Sequence, residues 1–164
     1  MLVFIDMARM DDSLLVTDFD NKLNGPINFI ENRFHYLSPF SAHEVVLAGV
    51  VYKTAEHAYQ ALRMKAEHRD RITVTTSPLA AWREAQHCKK EGLVDPRHDK
   101  DDLMEEIFRA KLDQHQDIED VLRESGDREL RKVYDTDYYW GTGADGSGEN
   151  MMGKLWMKLR GELE

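Results

Sequence analysis

"EVVLAGVVYKTAEHAYQALRMK", residues 44–65, changes its periodicity halfway along. The first half is β-branched and carries Ala48-Gly49 at its centre, which predicts a hairpin turn. Thr54 then predicts the N-cap of a helix beginning at Ala55, with Glu56 in the first turn, where the helix macrodipole favours a carboxylate. On that helix Glu56 and Gln60 fall four residues apart, on one face. A carboxylate and an amide can therefore point into one cleft, although a capping acid beside a surface amide would read the same way.

Outward from this stretch, helices dominate and strands cluster towards the front. "INFIENRFHYL" (27–37) is β-branched and aromatic, hence strand-like. Residues 1–25 mix acids with a few apolar residues and end in "NGP", which predicts an extension ahead of a main domain at 26–164. Downstream, Ser77 as N-cap with Pro78 at the first helical position is a strong helix start. The next helix is expected over 99–115, with Leu103, Ile107, Ala110 and Leu112 as its apolar stripe. A shorter helix should follow around "DIEDVLRES" (117–125), then the strand-like "ELRKVY" (129–134). The last helix, "ENMMGKLWMKLRGEL" (149–163), is entered from a glycine-rich loop, with Asn150 as its expected cap and Met152, Leu155 and Leu159 as its core face. The expected fold is α+β: one helix-dominated domain with a small sheet or hairpin in its N-terminal part.

A chain of 164 residues can bury roughly two-thirds of its unfolded surface, enough for a core without staples. The lone Cys88 cannot close an intrachain disulfide and reads as a buried or half-buried thiol in a reducing setting. No stretch approaches the roughly 20 apolar residues of a membrane span, and the first residues lack a basic region, so a cytoplasmic protein with no membrane partner is expected. The net charge of −9 disfavours sequence-blind nucleic-acid binding. "RDR" (69–71) and "KK" (89–90) can still supply a local basic pocket or, equally, solvated helix faces.

Two glycine patterns imitate nucleotide motifs. Gly141, Gly143 and Gly146 spell G-x-G-x-x-G, but no βαβ series follows them. Gly148, Gly153 and Lys154 spell the start of a phosphate-binding loop, yet Leu155 stands where Ser or Thr should hold Mg²⁺. Free N–H groups at the following helix start keep anion binding open, while Asp145 and Glu149 oppose it. The scattered histidines match no metal motif, so neither metal nor cofactor is expected. "YDTDYYWGTG" (134–143) gathers Asp135, Asp137, Tyr138, Tyr139 and Trp140 in a loop, which suits stacking on a flat ring or, alternatively, a packed corner pinning the final helix. A carboxylate among those aromatic faces is expected to have a raised pKa. Lys111 lies one step from an apolar stripe, where it either snorkels to solvent or is poised for ion pairing or amine chemistry.

In order along the chain, "INF" (27–29), "LSPF" (37–40), "TAEHAYQALR" (54–63), "SPLAA" (77–81), "MEEIFRAKL" (104–112), "TDYYWG" (136–141) and "GENMMGKLWMKLR" (148–160) resemble the motifs of the NADAR family. That family includes an N-glycosidase acting on riboflavin biosynthesis intermediates and hydrolases that remove ADP-ribose from guanine in DNA. The resemblance implies a helix-rich α+β domain cleaving a bond between ribose C1 and nitrogen. Its catalytic residues would be Glu56, Asp137 and Lys111, and its substrate-binding residues His57, Gln60, Arg63, Tyr139, Trp140, Gly141 and Asn150. Glu56, ionised at its helix start, suits the base or the stabiliser of an oxocarbenium ion, and Asp137 the ribose or leaving group. Lys111 would offer the alternative of trapping an opened sugar as a Schiff base. Arg63 replaces a frequent lysine, Pro39 a usual asparagine and Ala55 a serine. The implied partner is a nucleotide-like substrate, ADP-ribose on guanine within DNA, which would make the protein an antagonist of an ADP-ribosyltransferase. Phosphorylated riboflavin intermediates are the alternative substrate, and a non-catalytic ADP-ribose-binding module the alternative of another class. Retention of both Glu56 and Asp137 speaks against the module.

Overall fold

The computed structural model describes residues 25–163, so the extension expected at 1–25 lies almost wholly outside the described residues. The described residues open with strand β1 (Ile27–Asn28) and a 3-10 turn (Asn32–Leu37). A hairpin follows, β2 (Val45–Leu47) and β3 (Val50–Tyr52). It leads into helix α1 (Ala55–Leu62), a 3-10 turn (Ala66–His68), and helices α2 (Asp70–Thr73), α3 (Pro78–Lys90), α4 (Lys100–Gln114) and α5 (Gln116–Glu124). Strand β4 (Leu130–Arg131) and helix α6 (Met151–Gly161) complete it.

The hairpin and helix starts follow their local chemistry. Ala48 and Gly49 take φ of 49° and 78°, the left-handed pair that matches the twist of a tight hairpin. Thr54 accepts the His57 N–H and Ser77 that of Ala80, so both expected caps form. Only Ile27–Asn28 of the strand-like 27–37 run is extended. Asn28 and Asn32 side chains accept the N–H groups of Ile30 and Phe34, and Asn32 adopts φ 55°, so local turn chemistry displaces a longer strand. β1 instead pairs in parallel with β4, Ile27 opposite Leu130.

Helix α1 is the central element: every residue from Ala55 to Ala61 is buried. A helix buried all round must satisfy its polar side chains from the surrounding protein or line a cavity. Helix α3 packs beside it and in the same direction. At the N-terminal ends, Lys53 Nζ donates to Thr75 O (2.6 Å) and His57 Nε2 approaches the same carbonyl (3.3 Å). At the C-terminal ends, Asp95 N donates to Arg63 O (2.8 Å) and Lys65 N to Leu93 O (3.0 Å). Below them, Phe108 of α4 stacks on Trp156 of α6 (4.4 Å between centroids), and Trp156 Nε1 donates to Leu37 O. Met152, Leu155 and Leu159 are buried, as their spacing requires.

The entry to α6 departs from expectation. Asn150 sits at the N-cap position but adopts the left-handed conformation and makes no side-chain cap bond. Its amide reaches sideways instead, donating to Leu130 O and accepting from Lys132 N, and so ties α6 to β4. The first N–H groups of α6, from Met151 and Met152, donate to the carbonyls of Tyr139 and Trp140. Gly153 lets this crossing happen, because a Cβ there would overlap Leu130 O. Two of the N–H groups at this helix start are thus taken by protein carbonyls, which weighs against the phosphate-loop resemblance. Lys154 points away and pairs with Glu149 at the surface.

Candidate active site

One cavity of about 770 Å³ opens between α1, α3, the loop 38–40 and the segment 132–140. Glu56, Gln60, Arg63, Asp137 and Trp140 all line it, so helix α1 and the aromatic loop, far apart in sequence, meet there. Glu56 and Gln60 share a face as their spacing requires, and Gln60 Nε2 donates to Glu56 Oε1 at 2.8 Å. Arg63 continues the row by donating to Gln60 Oε1 (3.3 Å) and lies over the Tyr59 ring. The Tyr59 and Trp140 rings meet edge to face at 5.6 Å, giving the cavity an aromatic wall.

The two acids are displaced in opposite directions. Burial pushes the Glu56 carboxyl pKa up, outweighing the Gln60 hydrogen bond and the charges of Lys132 and Arg63; the Asp137 charge adds to the rise. The helix start on its own would favour the ionised form, but Glu56 is only 4% exposed and burial acts in the opposite direction. Burial also acts to raise the Asp137 pKa, but Lys132 Nζ at 2.6 Å and the backbone N–H groups of Tyr139 and Trp140 outweigh it and hold the carboxyl below its ordinary value. The expected rise at Asp137 is therefore corrected: the loop turns its own N–H groups onto the carboxylate. Asp137 thus braces the corner of its own loop and also lines the cavity.

Other site candidates stand outside the cavity lining. His57 faces Thr54 and Thr75 O. Gly141 is enclosed by Lys132 O and Asp137 O. Tyr139 is held by a hydrogen bond to Asp101 and by Lys100 over its ring. Asn150 is the β4 tie already described. Lys111 neither snorkels nor reaches the cavity. Its side chain is fully buried, and Nζ donates to Tyr36 O (2.5 Å), Ser41 Oγ (2.6 Å) and Ser38 O (2.9 Å). Burial pushes its pKa down to about 7. Ser41 in turn bonds His43, and His43 bonds Asp117, so a polar chain leads from the ammonium to the surface. Ser38, Pro39 and Phe40 line the cavity, which makes Lys111 the anchor of one cavity wall.

The cavity also recruits residues that sequence did not single out as site residues. Lys132 holds Asp137, and Trp82, Gln86 and Lys89 come from α3. Of these only Lys89 carried a signal, as half of the "KK" pair. Among the described residues, no cluster of His, Cys, Asp or Glu could hold a metal ion, and no helix is long and apolar enough to cross a membrane.

Paired carboxylates in an aromatic-walled cavity are the equipment of a hydrolase acting on glycosyl bonds. The chain belongs to the NADAR domain family, which it matches over residues 28–164. It is 31% identical over 140 residues to N-glycosidase YbiA of Escherichia coli (strain K12), an alignment covering 84% of this chain and 88% of that protein. It is 30% identical over 152 residues to the riboflavin biosynthesis protein VVA0006 of Vibrio vulnificus, covering 88% of this chain but 40% of that protein. The NMR structure of E. coli YbiA superposes with a TM-score of 0.70 at 26% identity, covering 85% of this chain and 84% of that one. The protein thus stands among N-glycosidases, hydrolases that act on N-glycosyl bonds, and shares their helix-dominated fold.

Proposed function

We propose that this chain hydrolyses the ribose C1–N bond of ADP-ribosylated guanine, with the base seated against the Tyr59–Trp140 wall. The observation that carries the reaction is the pair of acids in one cavity with opposed pKa displacements. Breaking a ribose–nitrogen bond builds positive charge on the sugar and negative charge on the leaving nitrogen. Asp137, kept ionised by Lys132 and two N–H groups, stabilises the cationic sugar. Glu56, its pKa raised by burial, keeps a proton further towards neutrality, protonates the leaving base and then accepts a proton from the attacking water. Gln60 orients the Glu56 carboxyl for that transfer.

The volume of about 770 Å³ lies in the upper part of the usual range for ligand sites and supports a substrate larger than one ribosyl phosphate. Acting on that adduct, the protein would undo the product of an ADP-ribosyltransferase. A second reading, cleavage of phosphorylated riboflavin biosynthesis intermediates, is favoured by the name of the Vibrio relative and by the net charge of −9. The test is incubation with DNA carrying ADP-ribosyl-guanine and, separately, with the phosphorylated aminopyrimidine intermediates. Restoration of unmodified guanine supports the first reading. Turnover of the aminopyrimidines alone replaces it with the second, and tight ADP-ribose binding without turnover of either would favour a binding module.

A further inference from the structure

We infer that the C-terminal ends of α1 and α3 form a phosphate subsite, in which Arg63 and Lys89 bind the 5′-phosphate ester of the substrate ribose; this rests on the glycosidase reading of the same cavity. Because the two helices run side by side in one direction, Glu56 lies at one end of the groove and Arg63 at the other. The span of α1 between them amounts to about 10 Å of axial rise. On α3, Trp82, Gln86 and Lys89 follow at helical spacing along the same groove and bring Lys89 to the Arg63 end.

Charge points the same way. The protein carries a net −9, yet Arg63, Lys89 and Lys132 outnumber Glu56 and Asp137 in the cavity. Lys132 is committed to Asp137. Arg63 makes no ion pair among the described residues; its side chain meets the Gln60 oxygen and the Tyr59 ring. Lys89 has no side-chain partner among the described residues. The nearby acids Glu84 and Glu91 are already taken by Arg71, at 2.8 Å and at 2.8 and 3.1 Å. Two uncommitted cations at one end of a cavity suit a phosphate ester, with the planar guanidinium as a fork and the ammonium as a point charge. Helix C-termini present carbonyls, so the binding must come from these side chains.

A monoester and a diphosphate share this chemistry, and three probes separate them: ribose, ribose 5-phosphate and ADP-ribose, titrated calorimetrically against the wild type, Lys89→Ala and Lys89→Arg. The wild type should bind ribose 5-phosphate at least about tenfold tighter than ribose, in line with a charge-assisted contact. Lys89→Ala should lose about tenfold on both phosphorylated probes and nothing on ribose, and Lys89→Arg should restore most of it. A further gain on ADP-ribose that Lys89→Ala abolishes assigns the subsite to a diphosphate; equal binding of the two phosphorylated probes assigns it to a monoester. Equal affinity for ribose and ribose 5-phosphate, an equal loss on all probes in Lys89→Ala, or no binding of any probe overturns the inference. Phosphate-dependent binding without release of base from any ribosyl substrate would leave the subsite standing and sink the glycosidase reading instead.

Discussion

Glu56 and Lys111 are both buried ionisable residues, and both meet the loop 36–41. Lys111 gives its three donors to Tyr36 O, Ser38 O and Ser41 Oγ. Glu56 receives one side-chain hydrogen bond, from Gln60 to Oε1, and lines the cavity. Burial shifts each towards its neutral form, the amine down to about 7 and the acid upwards. The difference lies in saturation. A buried group whose hydrogen-bonding capacity is used up by the protein holds the fold, and one with capacity left over, aimed into a cavity, is free to act on a ligand.

Among single substitutions, the loss of charge at the other cavity acid should have one of the largest effects on turnover. Asp137→Asn keeps an oxygen for the backbone N–H groups of Tyr139 and Trp140 but removes the charge, so turnover should fall by about 10²–10³-fold, with the melting temperature lowered because Lys132 loses its partner. Replacing Lys111 by Met strands two carbonyls and a hydroxyl, and should cost about 3 kcal/mol in urea unfolding. That cost should depend on pH with a definite sign. The folded pKa of about 7 lies below the ordinary 10.5, so the unfolded chain binds the extra proton between these values. The stability that Lys111 contributes is fully present above the higher value and is lost as pH falls through the lower, changing by at most about 1.4 kcal/mol per pH unit. The gap between wild type and Lys111→Met should therefore widen from about pH 7 to about pH 10. At the small end, Lys154→Ala should leave stability within about 0.5 kcal/mol, because its partner Glu149 is 3.4 Å away at the surface.

What could be read in the sequence was set by local chemistry. Ala48-Gly49, Thr54 and Ser77-Pro78 each act on backbone within a few residues, and each hairpin or helix start forms where expected. The Glu56–Gln60 pair was legible because four residues on a helix fix a shared face. The role of Lys111 was not legible, since its acceptors are a serine hydroxyl and two carbonyls some 70 positions away, and a carbonyl carries no residue-type signal. Asn150 misled for the same reason: an asparagine before a helix looks like a cap, and only the crossing of α6 over β4 redirects its amide. Lys132 and the α3 wall entered the cavity through packing between helices, which periodicity on one helix does not specify.

The most direct measurement is base release per folded molecule, from the substrate that the wild type turns over, by Glu56→Gln and by Lys111→Met, with borohydride added to a parallel wild-type reaction. Glu56→Gln should lose at least about a hundredfold in turnover with its melting temperature kept. Lys111→Met, corrected for unfolded protein, should stay within about tenfold of wild type, and mass spectrometry should find no reduced adduct on Lys111. Near-wild-type turnover by Glu56→Gln, or a trapped sugar on Lys111, would contradict the division of labour between the two buried groups.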